Sequence, residues 1–334
     1  MTMIHTLSMT LLPAILLPVL ASLAGERRDA ELDGVWVDVY QGEPISYDDL
    51  LKDLATADVV YLGERHTVQR HHAIQARILA DLAQKAIPLA LGLEQMESWQ
   101  QPELDRYNRG EIGFEQLAAA TGWPKRWRNY EQYRPVLEAA RKAKAPAVAL
   151  NAKSETIRQV VRCGGVERIP AEARKDLPAE MRLQDPVYEK LLSLEMMVHA
   201  SAAPQSLRPM IEAQIARDEA MAQALAAFAK SASGHGRKMI VVCGSGHVAH
   251  GQGMPSRVRR RLPGVRDRIV LLSESGEVRL SPEEMAQVRE IEITHEQLRE
   301  IKQPLADYLC VKPLATTAGA TAIRAAQTPG KGGN

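Results

Sequence analysis

Five short runs of near-continuous apolar residues, separated by longer stretches of helical spacing, limit what this chain can become. They are Val59-Val60-Tyr61-Leu62, Leu89-Ala90-Leu91-Gly92-Leu93, Ala147-Val148-Ala149-Leu150, Met239-Ile240-Val241-Val242-Cys243 and Ile269-Val270-Leu271-Leu272. A strand with one wet face alternates apolar and polar residues, so a run apolar at nearly every position is covered on both faces. The stretches 68–86, 130–144 and 208–232 repeat Ala, Leu, Gln, Arg and Glu at helical spacing. Strands alternating with helices predict an α/β fold with a mostly parallel central sheet flanked by helices. Ser46-Tyr47-Asp48-Asp49 has capping-box spacing and predicts a helix leading into the first strand.

Between the third and fourth runs lie roughly ninety residues, far more than a single crossover helix needs. Their composition is helical, with breaks at Pro170, Pro178, Pro186, Pro204 and Pro209. Residues 154–236 are therefore read as a smaller helical subdomain inserted into the α/β domain, and 99–130 as a second helical piece. Trp123, Trp127, Tyr130 and Tyr133 concentrate four aromatics within eleven positions, where they pack a core or a lobe interface; the wall of a ligand pocket is the alternative.

Charge and cysteine content exclude several classes. Lys+Arg (42) and Asp+Glu (41) nearly cancel, so no global field draws nucleic acid, and no nucleic-acid partner is expected. Arg257, Arg259, Arg260 and Arg261 read as the solvated face of a short helix after Pro255. Cys163, Cys243 and Cys310 are scattered, which excludes a Cys-based zinc finger and a disulfide framework; Cys243, ending an apolar run, is a buried small hydrophobe. The N-terminus is apolar from Leu7 to Ala24 and broken by Pro13 and Pro18. Ser22-Leu23-Ala24 then precedes the charged Glu26-Arg27-Arg28. Residues 1–24 accordingly read as a signal peptide, 25–314 as the mature α/β domain and 315–334 as a disordered tail. An exported, periplasmic product follows, and with no cysteine after the apolar run, no lipid anchor is expected.

In open parallel sheets ligands bind beyond the carboxyl ends of the strands. Just past the first run stands Gly63-Glu64-Arg65-His66, past the second Glu94, past the third Asn151, and past the fourth Gly244-Ser245-Gly246-His247. The same Gly-x-x-His pattern after two strands points to one cleft, with the two motifs as opposite walls and Glu94 and Asn151 between. Two imidazoles and two carboxylates there can hold a metal ion or act as general acid and base, and sequence leaves both open. On the helix that follows the first motif, His71 and Gln75 share a face, while His72 points about a third of a turn away; one of these histidines belongs to a partly exposed helix start. After the second motif, His250 is flanked by Gly251 and Gly253, whose backbones can approach a flat ligand closely. Gln214 and Asp218, one turn apart, read as an ordinary exposed pair.

Several ordered segments then resemble one family. They are Gly63–His66 with His71–Gln75, Gly92–Met96, Gln101–Ile112, Trp123 with Trp127 and Tyr130–Arg141. Val148–Asn151, Ala213–Ala222 and Cys243–Val258 continue the series. Together they resemble the ChaN-like haem-binding proteins, bacterial iron-uptake members of the Tiki/TraB superfamily, from about Ile45 to Ser273. The resemblance implies a parallel-sheet core with a smaller helical part, haem as cofactor at a homodimer interface, and a haem receptor or transporter as a further partner. By position it implies Glu64, His66, Glu94 and His247 as the polar constellation, with His71, His72, Asn151, Gln214 and Asp218 matching the ChaN-like branch. Haem-binding candidates are thus His66, His71, His72, Tyr133, Asn151, His247 and His250. Candidates for the metal itself are His250, Tyr133, Glu64, His66, Glu94 and His247, since imidazole and phenolate both ligate ferric haem; Tyr130 joins Tyr133 as a phenol to consider. His250 stands where the resemblance implies an aromatic residue, often Tyr. The wider superfamily includes metal-dependent proteases and erythromycin-esterase-like hydrolases. The alternative function is therefore a hydrolase using Glu64, His66, Glu94 and His247 around a divalent ion that activates water. No Gly-x-Ser-x-Gly elbow is present, because Gly244-Ser245-Gly246 lacks that spacing.

Overall fold

Each of the five apolar runs is a strand, and all five run in one direction. The structure, a computed structural model, describes residues 34–199, 207–274 and 303–312. The chain divides into residues 1–34 and 35–334, and the elements below belong to the second part. They are β1 (Val35–Asp38), β2 (Glu43–Ile45), α1 (Tyr47–Leu54), β3 (Val59–Glu64), α2 (Gln69–Gln84), β4 (Leu89–Glu97), α3 (Gln101–Asn108), α4 (Phe114–Thr121), α5 (Trp123–Arg126) and α6 (Arg134–Lys142). Then follow β5 (Ala147–Asn151), α7 (Ser154–Cys163), α8 (Ala171–Arg174), α9 (Pro186–His199), α10 (Arg208–Lys230), β6 (Lys238–Gly244), α11 (Met254–Arg261), β7 (Asp267–Glu274) and β8 (Tyr308–Lys312). The signal peptide and the tail expected at 1–24 and 315–334 lie outside the described residues. No helix among the described residues is long and apolar enough to cross a membrane.

One eight-stranded sheet, ordered β2-β1-β8-β7-β3-β6-β4-β5, organises the chain. The neighbours from β8 to β5 are all parallel, and only β1 pairs antiparallel, with β2 and β8. The α/β fold with a mostly parallel sheet is thus as the alternation predicts. Strands β1, β2 and β8 were not foreseen. β1 and β2 are short edge strands, with Pro44 in β2 where no ladder donor is required. Ser46 caps α1 by accepting from the Asp49 amide, as its spacing predicts.

Strand alternation sorts the core into two layers. On one face Val59, Tyr61, Met239, Val241 and Cys243 pack with Met221, Ala222 and Leu225 of α10 and Val258 of α11. Cys243 is the buried hydrophobe expected. The other face is left to α2 and α6, which pack on each other and bury Ile74, Ile78, Leu82, Val136 and Leu137. Within 154–236, two small apolar clusters tie α7 and α9 to the first half of α10. The second half of α10 covers the sheet, so one helix serves both the inserted part and the core.

The arginines of α11 overturn the reading of a solvated face. Arg257 is 1% exposed, and its guanidinium lies against Asp185 and the fully buried Glu219. Arg260 and Arg261 also donate to Glu219, at 2.6 and 2.5 Å, while Arg259 pairs with Asp267. A charge run looks solvated in sequence because its partners, here on α10 and β7, are distant along the chain.

Candidate functional site

Strand order decides where the two Gly-x-x-His motifs meet. β6 is inserted between β3 and β4, and Glu64 at the end of β3 pairs in register with Gly244 at the end of β6. The motifs are therefore side by side rather than on opposite walls, with Glu94 on the far side of β6. Asn151, on the next strand, donates to the Glu94 carbonyl at 2.8 Å.

Glu64 is wholly buried and surrounded by donors. Its Oε1 accepts from the Tyr133 hydroxyl at 2.6 Å, from His66 Nδ1 at 2.9 Å and from Gln95 Nε2 at 3.1 Å. Its Oε2 accepts from Gln75 Nε2 at 2.7 Å and lies 3.3 Å from His72 Nε2. Burial alone would raise this carboxyl, but the contacts with His66 and His72 outweigh it and hold the group at about 2. Glu64 thus stays ionised and fixed.

Glu94 faces the α10 layer. Its Oε2 accepts from the Gly244 amide at 2.6 Å, and its Oε1 is 3.2 Å from His247 Nε2. Burial opposes the charge, yet His247 and His66 hold the carboxyl far below the ordinary range. His247 is buried between Glu94 and Asp218, whose Oδ1 is 2.6 Å from Nδ1. Burial disfavours its charged form, but the two carboxylates overcome this and lift it to about 10. The two carboxylates thus favour its protonated form. Asp218 also accepts from Tyr188 at 2.6 Å, and the Gln214 amide sits 3.0 Å from His247 Nδ1. Asp218 is 0% exposed, so the exposed-pair reading of Gln214 and Asp218 is wrong. Their helical spacing was the available signal, since it aims both at one neighbour.

His66 bridges the two halves. Its Nδ1 hydrogen-bonds Glu64, its Nε2 lies 3.8 Å from Glu94, and its side chain is 33% exposed. Burial lowers its proton affinity, but the Glu64 hydrogen bond and the Glu94 charge raise it above the ordinary value. Trp127 stands edge-on to the ring at 4.8 Å, and Asn129 donates to the His66 carbonyl. A Cβ on Gly244 would come within 2.8 Å of His66 Nε2, so only glycine leaves the imidazole its place.

The remaining candidates have other settings. Both His71 and His72 are 0% exposed, so neither belongs to an exposed helix start. It is His72, not His71, that joins Gln75 at Glu64. His71 Nδ1 accepts from the Arg65 amide at 3.0 Å, and burial, only partly offset by Glu274, lowers its pKa to about 4. Tyr133 is 0% exposed, and burial beside the charged Glu64 pushes its phenol far up, so it offers no free phenolate. Tyr130 stacks on Phe114 and donates to Glu131. His250 lies apart from these contacts. Its amide donates to the Leu305 carbonyl and its Nδ1 is 3.1 Å from the Gln303 carbonyl. The glycines beside it give room to protein rather than ligand: a Cβ on Gly253 would meet the His247 carbonyl at 2.4 Å. Gln95 and Tyr188 were missed. Alternation along β4 places Gln95 on the face opposite Glu94, and so toward Glu64; Tyr188 carried no local signal.

Among the described residues no group of three or more His, Cys, Asp or Glu side chains is arranged to hold a metal ion. As placed, Glu94 and His247 are turned toward each other, while the Glu64 oxygens are taken by Tyr133, His66, Gln95 and Gln75. The accessible group is the His66 imidazole, one-third exposed, with Nδ1 anchored on Glu64 and Nε2 beside Glu94 and Gly244.

Comparison with known proteins adds four findings. The family profile described as "Haem-binding uptake, Tiki superfamily, ChaN" matches residues 50–258, more than half of the chain. A solved structure described as cofacial haem binding to ChaN of Campylobacter jejuni is similar at a TM-score of 0.60 and 22% identity. It covers 83% of this chain and 96% of that one. An erythromycin esterase in its open conformation is more distant, at a TM-score of 0.42 and 11% identity over 72% of this chain and 77% of its own. Among curated sequences, the chloroplastic RETICULATA-RELATED 5 protein of Arabidopsis thaliana is 26% identical over 66% of this chain, which spans 31% of its length.

Proposed function

The chain belongs to the haem-binding uptake family of the Tiki superfamily, the ChaN family, and from that membership we propose that it binds haem at the open edge of the Glu64–His66–Glu94–His247 cluster. The observation that carries this reading is His66. A histidine that ligates iron holds its second ring nitrogen on a carboxylate or carbonyl, leaving the other lone pair directed outward. His66 meets the first half of that requirement through Glu64; its Nε2, 3.8 Å from Glu94, is the nitrogen iron would have to reach, in a side chain one-third exposed beside the Trp127 ring. His250, with Nδ1 on the Gln303 carbonyl, meets it a second time. Tyr133 and His247 do not, because the first is locked to Glu64 and the second has both ring nitrogens held, between Glu94 and Asp218. Bound iron would supply Lewis acidity; the chain itself orients the imidazole through Glu64 and shields one ring face with Trp127.

Titrating the mature protein with ferric haem should give a shifted, saturable Soret band. His66→Ala and His250→Ala identify the axial donors by moving that band, whereas Arg158→Ala, on the exposed face of α7, leaves it unchanged. A spectrum identical to free haem at every ratio rejects the reading. The stacked arrangement named for the Campylobacter jejuni protein favours a homodimer closing over this cleft, which sedimentation with and without haem would test. The apolar segment before Ala24 supports export to the periplasm, where haem would pass to a receptor or transporter.

A second reading, hydrolysis with His66 as general base on water, rests on the same Glu64–His66 dyad. The divalent-ion version fits less well, since its four groups already neutralise one another. Ester and peptide hydrolysis by haem-free protein, abolished in His66→Ala, would support the second reading.

A further inference from the structure

We propose that the outer edge of β5 is a self-pairing surface for a second copy of this chain, held shut by the side-chain amides of Gln101 and Asn108; the proposal is independent of the haem reading. β5 is the last strand of the sheet and pairs on one side only, with β4. The Leu91 amide donates to the Pro146 carbonyl, so alternation turns the main-chain groups of Ala147 and Ala149 away from β4. The strand, Ala147-Val148-Ala149-Leu150-Asn151, carries no charge. An apolar edge of this kind is a template for another strand. The opposite edge of the sheet is blunted by other means, since β2 has only three residues, among them Glu43 and Pro44.

Two side chains of α3 stand in for the missing neighbour. Asn108 makes a two-point pair with Ala147: its Nδ2 donates to the carbonyl at 2.9 Å, and its Oδ1 accepts from the amide at 2.9 Å. Gln101 reaches the next outward residue. Its Oε1 accepts from the Ala149 amide at 2.7 Å, and its Nε2 donates to the Ala147 carbonyl at 3.3 Å. Seven positions apart, the two residues lie on one face of the helix. Asp105, one turn after Gln101, accepts from the same Nε2 at 2.7 Å and so fixes which end of that amide meets the strand. A neighbouring strand would make these same bonds from its main chain. Beyond them lies a groove of about 600 Å3, lined by Gln101, Asn108, Ala147, Ala149, Phe228 and Ser231. It leaves a second strand room to approach once the amides are gone. Two copies related by a twofold axis would then pair β5 with β5 antiparallel and join two sheets into one.

Sedimentation of the haem-free full chain tests this. The double variant Gln101→Ala/Asn108→Ala should move, with rising concentration, to about twice the wild-type mass, and each single variant should associate less. Adding Ala149→Pro to the double variant should restore the wild-type mass, because proline removes the outward N–H yet suits an edge strand. Circular dichroism checks that the variants are folded; if the double variant is not, the single variants, with and without Ala149→Pro, carry the same comparison. Hydrogen exchange reads the clamp in the wild type itself, where the Ala147 and Ala149 amides should be protected like the inward-facing Val148. Asn108→Ala should release Ala147 and leave Ala149 protected. Folded variants that all stay at the wild-type mass, association that survives Ala149→Pro, or fast exchange of both amides in the wild type would each overturn the proposal.

Discussion

Gly244 has the smallest side chain in the site and one of the strictest requirements. Its amide fixes Glu94 while its bare α-carbon leaves His66 room. Gly244→Ala should therefore fold, at a cost of about 1–3 kcal/mol from overpacking, but displace the imidazole. The expected result is a lowered urea midpoint in a protein that still folds cooperatively, with a weakened and shifted haem spectrum. Glu64 acts in the opposite sense, since it holds much of the interior together. Glu64→Ala strands Tyr133, Gln75, Gln95 and His72 without their common acceptor and should cost about 3–5 kcal/mol. Glu64→Gln, which keeps one acceptor oxygen, should fall between; denaturant titration orders the three. A single residue here was legible as important from its place after a buried strand. That its five neighbours share this one carboxylate was not, because they come from four segments of the chain, and Gln95 was missed altogether.

Helix α11 shows what an element gains from distant partners. Three of its arginines converge on Glu219 of α10, whose side chain has no solvent exposure. Burial would raise that carboxyl, but Arg260, the Arg182 amide and Arg261 reverse the effect and lower it. A carboxyl depressed in the folded state stabilises above its unfolded value, about 4.3, and loses that contribution as pH falls through the folded value. The wild type should thus lose stability in acid below about pH 4.3. Glu219→Gln should be less stable at pH 7, by about 3–5 kcal/mol, and show a shallower acid slope; equal slopes would reject the assignment. The basic run after Pro255 pointed to α11 itself, as continuous apolar runs did to the five parallel strands and helical spacing to the long helices. None of these could find the helix's environment, because hydropathy assigns arginines to water whatever waits across the fold. The strands β1, β2 and β8 escaped for a related reason: β1 and β2 offer only a few residues each, and the burial of β8 comes from its neighbours in the sheet.

For the whole molecule, the mostly parallel sheet and the four polar strand ends were legible because both follow from which residues must avoid water. Strand order was not legible, and it turned two expected opposite walls into adjacent positions on β3 and β6. Ligand binding should stabilise this assembly through mass action, by about 2.7 kcal/mol at a hundredfold excess over Kd. The melting temperature should therefore climb with haem concentration in the wild type and remain flat in a variant that has lost binding.

The two carboxylates at the centre answer to different layers: Glu64 takes partners from α2 and Tyr133, Glu94 takes His247, which is anchored by α10. His66 can be aligned only when both layers have closed on the sheet. The orientation of one imidazole thus reports on both layers at once, since a fold in which either has not closed leaves it without one of its two carboxylates.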